Sequence, residues 1–450
     1  MCVCDSGGPR SDHMEAYWQW CSGKNLAQHN DFPVTFKRSN DADGYGAYAT
    51  RPLQSRDPLF TVHKSVLIDR AAVFASLPFD ASSLKFSDDN GLWALFLLYH
   101  RGRPDSSYYP YVRTLSSYFG EHVRTWGGSN LDNFQNVDNL AETVKTLRHQ
   151  ALDDFKSVKA QLGEEGCSHF SRTLFTARQY VAMLAHTHAR MWNMAGLRGI
   201  LPCADMFNHR THHGNVHVAD NEFIQILAYK PGGREIAMGE EVFMSYGNKP
   251  NRDMMLSYGF FVNSQTVEDN VRLLPDGSPV MVPSPHNTVQ LSFGKALDKL
   301  SRCTLVANKA IASMFDVSID LSRGTDALLP LERLCRVELL CKHEEKSNQD
   351  RSIEVPSMTI ERLMKDHPLS PSHESEVKRN ARDILQLLTL SWDTDPPKDE
   401  ALLQSCKKHK ECLAISYRLH TKRLIQEALR LANKKIEYHQ RDNLDCKDIL

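Results

Sequence analysis

A tyrosine at the end of a short hydrophobic segment is the first residue that could carry chemistry. In GEEVFMSYGN, Tyr246 is followed directly by Gly247 and Asn248. Strand-forming residues before Tyr246 and turn-forming residues after it predict that its hydroxyl lies at a strand end, where a reactant can approach. Tyr258 and Phe260 follow soon after, and aromatic residues so closely spaced are typical of a core, so burial is the competing interpretation for each of them.

The second candidate is a polar cluster directly after the apolar segment GILPC. In ADMFNH it contains Asp205, Asn208 and His209. Hydrogen-bonding side chains at the rim of a core can hold a ligand or fix the chain to itself. Further histidines follow in the same region, at His212, His213 and His217. No acidic or cysteine partner lies at ligand spacing, so we expect a histidine-rich surface loop rather than a metal site.

The third candidate is the segment DGYGAYAT, in which Gly44 and Gly46 flank Tyr45 between two predicted strands. Glycines in such a turn allow positive φ and a close approach of the backbone to a ligand. A hairpin turn without a ligand is the alternative. No third glycine and no following helix complete a dinucleotide-binding pattern.

These segments lie in two strand-rich regions that a helical region separates. Short segments rich in β-branched and aromatic residues predict strands up to about residue 90 and again over 216–262. Apolar residues at helical spacing predict helices within 92–190 and through most of 263–450, including 286–315, while the polar segment 393–400 is expected to form a loop. The two strand regions can form one system of sheets only if the helices between them pack outside it.

Composition narrows the class of protein. Of 450 residues, 41% are hydrophobic, which is enough for sizeable cores, and 54 Lys and Arg nearly balance 55 Asp and Glu. This balance gives no general electrostatic reason to expect direct nucleic-acid binding or an anionic membrane. Without a signal peptide pattern or an apolar run of spanning length, we expect an intracellular protein in the cytoplasm, the nucleus or both.

The cysteines do not predict a disulfide framework. They number 11, are scattered, and would remain thiols in a reducing compartment. The closely spaced pairs are Cys2 with Cys4, Cys335 with Cys341, and Cys406 with Cys412. None of these spacings is that of a zinc site, so we expect no bound metal.

Taken in order, the three segments resemble the SET-domain methyltransferases, in the branch that includes the Rubisco large-subunit lysine methyltransferase and the actin-histidine methyltransferase. The matching residues are the turn Gly44–Gly46, the pair Asn208 and His209, and Tyr246. The resemblance spans most of the chain and is strongest over 40–60 and 174–262. It implies an α+β fold, in which a SET-domain β-sheet fold with a helical insertion is followed by an all-α C-terminal substrate-binding domain.

The resemblance also implies domain bounds. An N-terminal helical segment would cover 1–30, the SET domain 31–262 with its insertion at about 91–195, and the substrate-binding domain 263–450. A protein substrate would dock on that last domain.

By the same resemblance, the cofactor is S-adenosylmethionine and the catalytic residue is Tyr246. The cofactor-binding residues would be Arg10, Asp43, Gly44, Tyr45, Gly46, Arg190, Asp205, Met206, Phe207, Asn208, His209, Tyr258, Gly259 and Phe260. The substrate channel would include Trp192, Ala204, Tyr246 and Tyr258.

The implied reaction transfers a methyl group to a side-chain nitrogen of a protein. A lysine with a pKa of about 10.4 must first lose its proton. A narrow apolar channel and the positive sulfonium ahead both penalise the charged amine. Tyr246 would position the reactants rather than act as a base.

Two departures from the actin-histidine enzyme favour lysine as the target. Trp192 stands where that enzyme has Asn, two positions after its cofactor-binding Arg, and Ala204 stands where it has Trp. Residues of the pocket wall select the side chain that enters. Histidine methylation remains the alternative, as does a catalytically weak SET-fold protein that serves as a binding module or scaffold.

Overall fold

A computed structural model describes the chain over the ranges given next. They are 11–23, 32–38, 45–116, 119–120, 122–135, 137–194, 196–211, 215–218, 223–230, 234–247, 249–262, 271–273, 279–281, 286, 288–292, 316–336, 339, 371–390 and 392–445. Within these ranges no helix combines the length and the apolar character that a membrane crossing requires.

Strands of the first part of the fold come from both sides of the helical region. Their bounds are β1 (Val34–Arg38), β2 (Tyr45–Ala49), β3 (Pro58–His63), β4 (Met191–Met194), β5 (Leu197–Ile200), β6 (Asn215–Val218), β7 (Phe223–Leu227) and β8 (Glu241–Val242). All their pairings are antiparallel, in the orders β1-β2-β8, β3-β7-β6 and β4-β5. The expectation that the two strand regions pair with one another is therefore confirmed, by β2 with β8 and by β3 with β7.

Helices precede, separate and follow these strands. Their bounds are α1 (Ser11–Gly23), α2 (Arg70–Ser76), α3 (Gly91–Arg101), α4 (Tyr109–Val112), α5 (Ser129–Asp132), α6 (Leu140–Ser168), α7 (Ala177–Arg190), α8 (Asn251–Tyr258), α9 (Pro371–Leu390), α10 (Pro396–Ser405) and α11 (His409–Asp445).

The helical region packs on the sheets through α3. Its residues from Gly91 to His100 are all buried, as expected of a helix that is apolar on every side. The indole of Trp93 donates to the carbonyl of Ile68 at 2.7 Å, which fixes α3 to the segment after β3. Next to α3 lies α7, which Thr176 caps by accepting from Gln179 N–H at 3.3 Å. This packing fixes Arg190, the last residue of α7.

The predicted strands continued to residue 262, and here the structure differs. Residues 251–258 form α8, which ends where Gly259 adopts a φ of +82°. No strand follows among the described residues up to 262. The aromatic and β-branched residues around 258–262 indicated a strand. A short helix that ends at Tyr258 forms instead, and a left-handed glycine ends α8 after two turns.

The C-terminal region is not entirely helical, so the all-α description needs correction, although the α+β class is confirmed. Its strands are β9 (Val271–Leu273), β10 (Pro279–Met281), β11 (Thr288–Ser292) and β12 (Asp316–Asp320). They pair antiparallel as β9 with β10 and β11 with β12. The segment TVQLS of β11 lies within 286–315, which was predicted to be helical. Apolar residues alternate with polar ones there, and pairing with β12 decides in favour of a strand.

The segment 393–400 is a loop only in its first part. Asp395 caps α10 by accepting from Lys398 N–H at 3.1 Å, and prolines occupy the first turn of the helix. An aspartate cap followed by proline starts a helix, so the prolines mark a beginning here rather than a break.

The prediction that the cysteines remain thiols is wrong for one pair. Cys406 and Cys412, between α10 and the start of α11, form a disulfide. Their spacing in sequence gave no sign of it. The turn between the two helices brings their Cα atoms to 5.6 Å, within the range that a disulfide needs.

A buried polar network joins α10 and α11 to the helical insertion. Asp399, 0% exposed, accepts from Arg418 Nη2 at 2.7 Å and from Lys422 Nζ at 2.8 Å. Arg418 also donates to the carbonyl of Asn133 at 2.6 Å. Two cations on one carboxylate, with a further bond to the insertion, fix the position of α11 relative to the helical insertion.

Candidate active site

A cavity of about 250 Å³ opens between four parts of the fold. They are the end of α7, strand β4, the segment 244–247 that follows β8, and the end of α8. Its lining is Ala189, Arg190, Met191, Trp192, Asn193, Ala204, Asp205, Met244, Ser245, Tyr246, Gly247 and Tyr258. Tyr246, Arg190 and Asp205 are thus brought together from distant parts of the sequence.

Two chain segments cross beside the cavity and position Tyr246. His209 and Met244 form a parallel bridge, with Met244 N–H donating to Asn208 O at 2.8 Å and Arg210 N–H donating to Met244 O at 3.1 Å. Tyr246 N–H then donates to His209 Nδ1 at 3.0 Å. The predicted Asn-His pair therefore positions Tyr246 through two contacts, the backbone carbonyl of Asn208 with Met244 and the ring of His209 with the N–H of Tyr246.

The tyrosine hydroxyl is oriented by the same crossing. It donates to the carbonyl oxygen of Phe207 at 2.6 Å. Burial raises the pKa of Tyr246 above its ordinary value, against the opposing charge of Arg190. The side chain therefore remains a neutral phenol, whose proton is engaged by Phe207 and whose oxygen lone pairs are left as acceptors.

A buried ion pair forms another part of the cavity wall. Arg190 Nη1 lies 2.9 Å from Asp205 Oδ2, and the hydroxyl of Tyr111 donates to the same oxygen at 2.6 Å. Burial by itself would lower the pKa of Arg190, but the charge of Asp205, its hydrogen bond and the nearby tyrosines Tyr111 and Tyr246 together outweigh burial and raise that pKa. Burial raises the pKa of Asp205, and Arg190 and Tyr111 oppose this rise. The pair fixes a guanidinium and its counter-charge in the cavity wall.

The start of β2 approaches the pair Asn208 and Glu241. Asn208 Nδ2 donates to Glu241 Oε1 at 2.6 Å. A Cβ added to Gly46 would lie 2.2 Å from Glu241 Oε1 and 3.1 Å from Asn208 Nδ2. Glycine is therefore required at 46 by close packing. Tyr45, at the start of β2, is half-buried next to it.

The rings of Tyr246, Tyr258 and Phe260 form an aromatic wall at the end of α8. The rings of Tyr246 and Tyr258 are 4.7 Å apart, and Phe260 lies 6.5 Å from Tyr246 and 6.0 Å from His209. Burial raises the pKa of Tyr258 to about 12, so it too is a neutral phenol. A Cβ on Gly259 would lie 2.9 Å from His122 Cα. Glycine at 259 therefore allows the chain to pass close to His122 where α8 ends.

The predicted site residues fall into three groups. Arg10, Asp43 and Gly44 lie outside the described residues. Met206 and Phe207 are 4% and 0% exposed, and their side chains pack in the core rather than at the cavity. The predicted residues that line the cavity are Arg190, Trp192, Ala204, Asp205, Tyr246 and Tyr258. His209 and Phe260 lie next to Tyr246, and Gly259 follows Tyr258. Gly46 and Asn208 meet at Glu241, and Tyr45 precedes Gly46 in β2.

Sequence reasoning missed several residues of the site. Tyr111 comes from the helical insertion, where no motif marks it. Met191 and Asn193 flank the predicted Trp192, and adjacency in a strand could have indicated them. Cys203, which has a φ of +70°, was missed as well; its N–H donates to Tyr17 Oη of α1 at 2.7 Å, so α1 positions the segment that leads to Asp205.

Whether these residues fit the implied cofactor can be tested on unpartnered buried atoms. Within the described part of the chain, Arg190 Nε and Asp205 Oδ1 are buried without a hydrogen-bond partner. Buried polar atoms normally have partners. One donor and one acceptor at the same cavity fit a ligand that carries both a carboxylate and an ammonium group, as S-adenosylmethionine does.

Comparisons with known proteins agree with this arrangement. Residues 302–425 match the family described as Rubisco LSMT substrate-binding. An N-lysine methyltransferase setd6 of Salmo salar is 23% identical over 59% of this chain, and the match spans 61% of that relative's length. An actin-histidine N-methyltransferase of Rhinolophus ferrumequinum is 20% identical over 96% of this chain and 70% of that protein.

Solved structures extend the likeness to nearly the whole chain. The SET domain of LSMT bound to lysine and AdoHcy is 17% identical, with a TM-score of 0.69, covering 96% of this chain and 94% of that one. Rubisco LSMT bound to AdoMet is 18% identical, with a TM-score of 0.66, covering 95% and 93%. The chain therefore shares the fold of these SET-domain structures.

Proposed function

We propose that this protein is an S-adenosylmethionine-dependent protein methyltransferase with lysine as its favoured target. The observation that carries the proposal is the placement of Tyr246. Its hydroxyl is fixed by Phe207 at 2.6 Å in the cavity that Arg190, Asp205 and Tyr258 also line. The relatives named N-lysine methyltransferase and the LSMT structures bound to lysine support the same reaction.

The bound cofactor would supply an electrophilic methyl group on a sulfonium. Arg190 and Asp205 would hold its polar end, since each has a buried atom available for a hydrogen bond. Tyr246, with its proton donated to Phe207, presents lone pairs that can accept an N–H of the incoming amine and fix the direction of the nitrogen lone pair. Alignment of two reactants can be equivalent to about 7–11 kcal/mol of barrier.

The protein also has to keep the target amine neutral. A neutral phenol at Tyr246 and another at Tyr258 provide no negative charge to stabilise an ammonium. Arg190 and Asp205 lie in the same cavity and offset each other's charge. Burial lowers the pKa of a lysine and the sulfonium of the bound cofactor would lower it further, so proton loss to water is favoured as the side chain enters.

Lysine is favoured over histidine because Ala204 lies in the cavity wall where the actin-histidine enzyme has Trp. A small residue there leaves width in place of a flat stacking surface for an imidazole.

The protein substrate would dock on the C-terminal region, since residues 302–425 match a substrate-binding family.

The test is transfer of labelled methyl from S-adenosylmethionine to proteins of a hypomethylated lysate, with the modified residue mapped by mass spectrometry. Wild type is compared with Tyr246→Phe. The matched control is Tyr180→Phe, because Tyr180 is also buried and its hydroxyl has no partner in the described part of the chain.

A labelled protein that disappears with Tyr246→Phe but persists with Tyr180→Phe supports the enzyme. Label on lysine supports the favoured target, whereas label on histidine supports the alternative. Cofactor binding without transfer to any protein would instead favour a binding module.

A further inference from the structure

A chain of polar side chains runs from the backbone of Tyr246 through His209 and Thr211 to His286. His209 Nε2 is 3.3 Å from Thr211 Oγ1, and Thr211 Oγ1 is 2.8 Å from Nε2 of His286. Thr211 is 3% exposed and His286 2%. None of these three described residues lines the cavity. Their distance from the reacting groups means that any role in the reaction must act through Tyr246.

One consistent arrangement of donors and acceptors starts from the backbone of Tyr246. Tyr246 N–H can only donate, so His209 Nδ1 must be the unprotonated nitrogen that accepts at 3.0 Å. The neutral imidazole then carries its proton on Nε2 and donates to Thr211 Oγ1. The hydroxyl of Thr211 in turn donates to His286 Nε2. In this arrangement the Nε2 proton of His209 and the hydroxyl proton of Thr211 each have an acceptor, and the tautomer of His209 is supported from the far side of its ring.

The alternative states of His209 would disturb Tyr246. With a proton on Nδ1, the ring would direct N–H against the N–H of Tyr246. The bond that fixes the backbone of Tyr246 would be lost, and a buried backbone donor without a partner costs about 1–3 kcal/mol. Thr211 and His286 prevent this by providing an acceptor chain for Nε2–H.

We propose that Thr211 and His286 are positioning residues, which fix the tautomer of His209 and through it the placement of Tyr246. This inference rests on the proposed function, because it assigns these residues to the same reaction. His286 lies in the C-terminal region, and its carbonyl oxygen is 3.3 Å from His420 Nε2 on α11. The placement of Tyr246 therefore depends on a residue from outside the SET region.

Contacts of α11 support this dependence. Asn251, at the start of α8, bonds to His420 Nε2 through Nδ2 at 2.9 Å and accepts from Val262 N–H at 2.9 Å. The segment between these residues carries Tyr258 and Phe260. Helix α11 thus contacts both the positioning chain and the element that holds the aromatic wall.

The competing explanation is that Thr211 and His286 only satisfy each other as buried polar groups. Substitutions at Thr211 separate the two. Thr211→Val keeps the shape and removes the hydroxyl, whereas Thr211→Ser keeps the hydroxyl. The matched control is Thr421→Val, because Thr421 is also buried and its hydroxyl donates to a backbone carbonyl, that of Tyr417, at 3.0 Å.

The first measurement is NMR of the full chain with ¹⁵N-labelled histidine rings, in which the resonances of His209 are assigned by their loss in His209→Gln. We expect the Nε2–H tautomer of His209 in wild type, Thr211→Ser and Thr421→Val. In Thr211→Val and in His286→Phe we expect a mixture of tautomers. A pure Nε2–H tautomer in both of the last two variants would overturn the proposal. If one of them fails to fold, the other decides.

The second measurement is methyl transfer with the substrate found in the lysate. We expect Thr211→Val to lower kcat by about 10-fold or more, as outer residues that orient a functional imidazole do, with the KM for S-adenosylmethionine unchanged. Thr211→Ser should restore kcat. A change in KM alone would contradict positioning of Tyr246. Failure of wild type to transfer methyl would contradict the proposed function, while the NMR result would still decide whether His286 controls His209.

Discussion

The hydroxyl of Tyr246 and the carbonyl oxygen of Phe207 are joined by a hydrogen bond of 2.6 Å. Because the carbonyl can only accept, the phenolic proton points away from any reactant. Two residues of motifs that lie far apart in sequence thus set which atoms of the tyrosine are available. The oxygen can accept from an amine, and the raised pKa of the phenol excludes a role as a strong base near neutral pH.

Replacement of this hydroxyl should affect the reaction more than the fold. We expect Tyr246→Phe to lower kcat by about 10²-fold or more, as loss of one preorganised polar group at a reacting centre does. Binding of S-adenosylhomocysteine, measured by calorimetry, should change little. Turnover at the wild-type rate, with Tyr180→Phe as the control, would contradict the assignment.

The ion pair of Arg190 and Asp205 should matter for stability as well as for cofactor binding. Asp205 is 0% exposed, so Asp205→Asn leaves the guanidinium without its counter-charge. Breaking a buried pair from one side costs about 3–5 kcal/mol, and we expect a loss near the lower figure because Arg190 is 20% exposed. Urea denaturation gives the free energy of unfolding.

The control for this prediction is Asp153→Asn. Asp153 pairs with Lys156 at 2.9 Å, but both side chains are more than two thirds exposed, so no measurable change is expected. Equal effects of the two substitutions would show that burial of the Arg190 pair has no special importance.

Close packing at Gly46 yields a prediction about cofactor affinity. In Gly46→Ala, the new Cβ would lie 2.2 Å from Glu241 Oε1 and must displace the Asn208–Glu241 pair. We expect the affinity for S-adenosylhomocysteine to fall by about tenfold, which corresponds to about 1.4 kcal/mol.

Gly102→Ala is the matched control for Gly46→Ala. Gly102 lies at the end of α3 with a φ of −80°, and the nearest atom to its new Cβ is the Cβ of Ser171, 3.1 Å away, rather than an atom at 2.2 Å. If the affinity for S-adenosylhomocysteine is unchanged in Gly46→Ala, or falls equally in both variants, this would argue against a cofactor site at the start of β2.

Two buried histidines predict how stability depends on pH. Burial, assisted by Arg103, lowers the pKa of His100 to about 4. Burial also lowers the pKa of His122 to about 3, although its bond to the Ser257 carbonyl opposes this. Their pKa in the unfolded chain is about 6.5. Between these values the unfolded chain binds more protons, so the free energy of unfolding rises with pH.

The stability that these histidines contribute is fully present above about pH 6.5 and declines as the pH falls towards their folded pKa values. From pH 7 to pH 5 we expect a loss of up to about 2 kcal/mol for each residue. Urea titrations at intervals across this range measure the slope. His100→Gln should reduce the slope, and a flat profile in wild type would show that the rings are protonated or exposed when folded.

Local pattern was sufficient to predict much of the fold. The β-branched and aromatic residues of VTFKRS and FIQILAY predicted β1 and β7, and the helical spacing of LWALFLLYH and ARQYVAMLAHTHARMW predicted α3 and α7. These elements are stabilised by one apolar face or by complete burial, which sequence shows directly. The same reasoning failed at α8, β11 and the start of α10, where a cap, a left-handed glycine or a partner strand decided the outcome.

The sequence by itself determined which residue types could perform the reaction and in which order they occur. Tyr246, the Asn208–His209 pair and the turn before Gly46 were identifiable because each interrupts an apolar segment with polar or flexible residues. Tertiary structure alone decided how they act. Hydrogen bonds form between atoms that only the fold brings within 3 Å or so, such as Tyr111 with Asp205 and Thr211 with His286. No local pattern specifies such pairs, because their partners lie on elements whose packing depends on the whole chain.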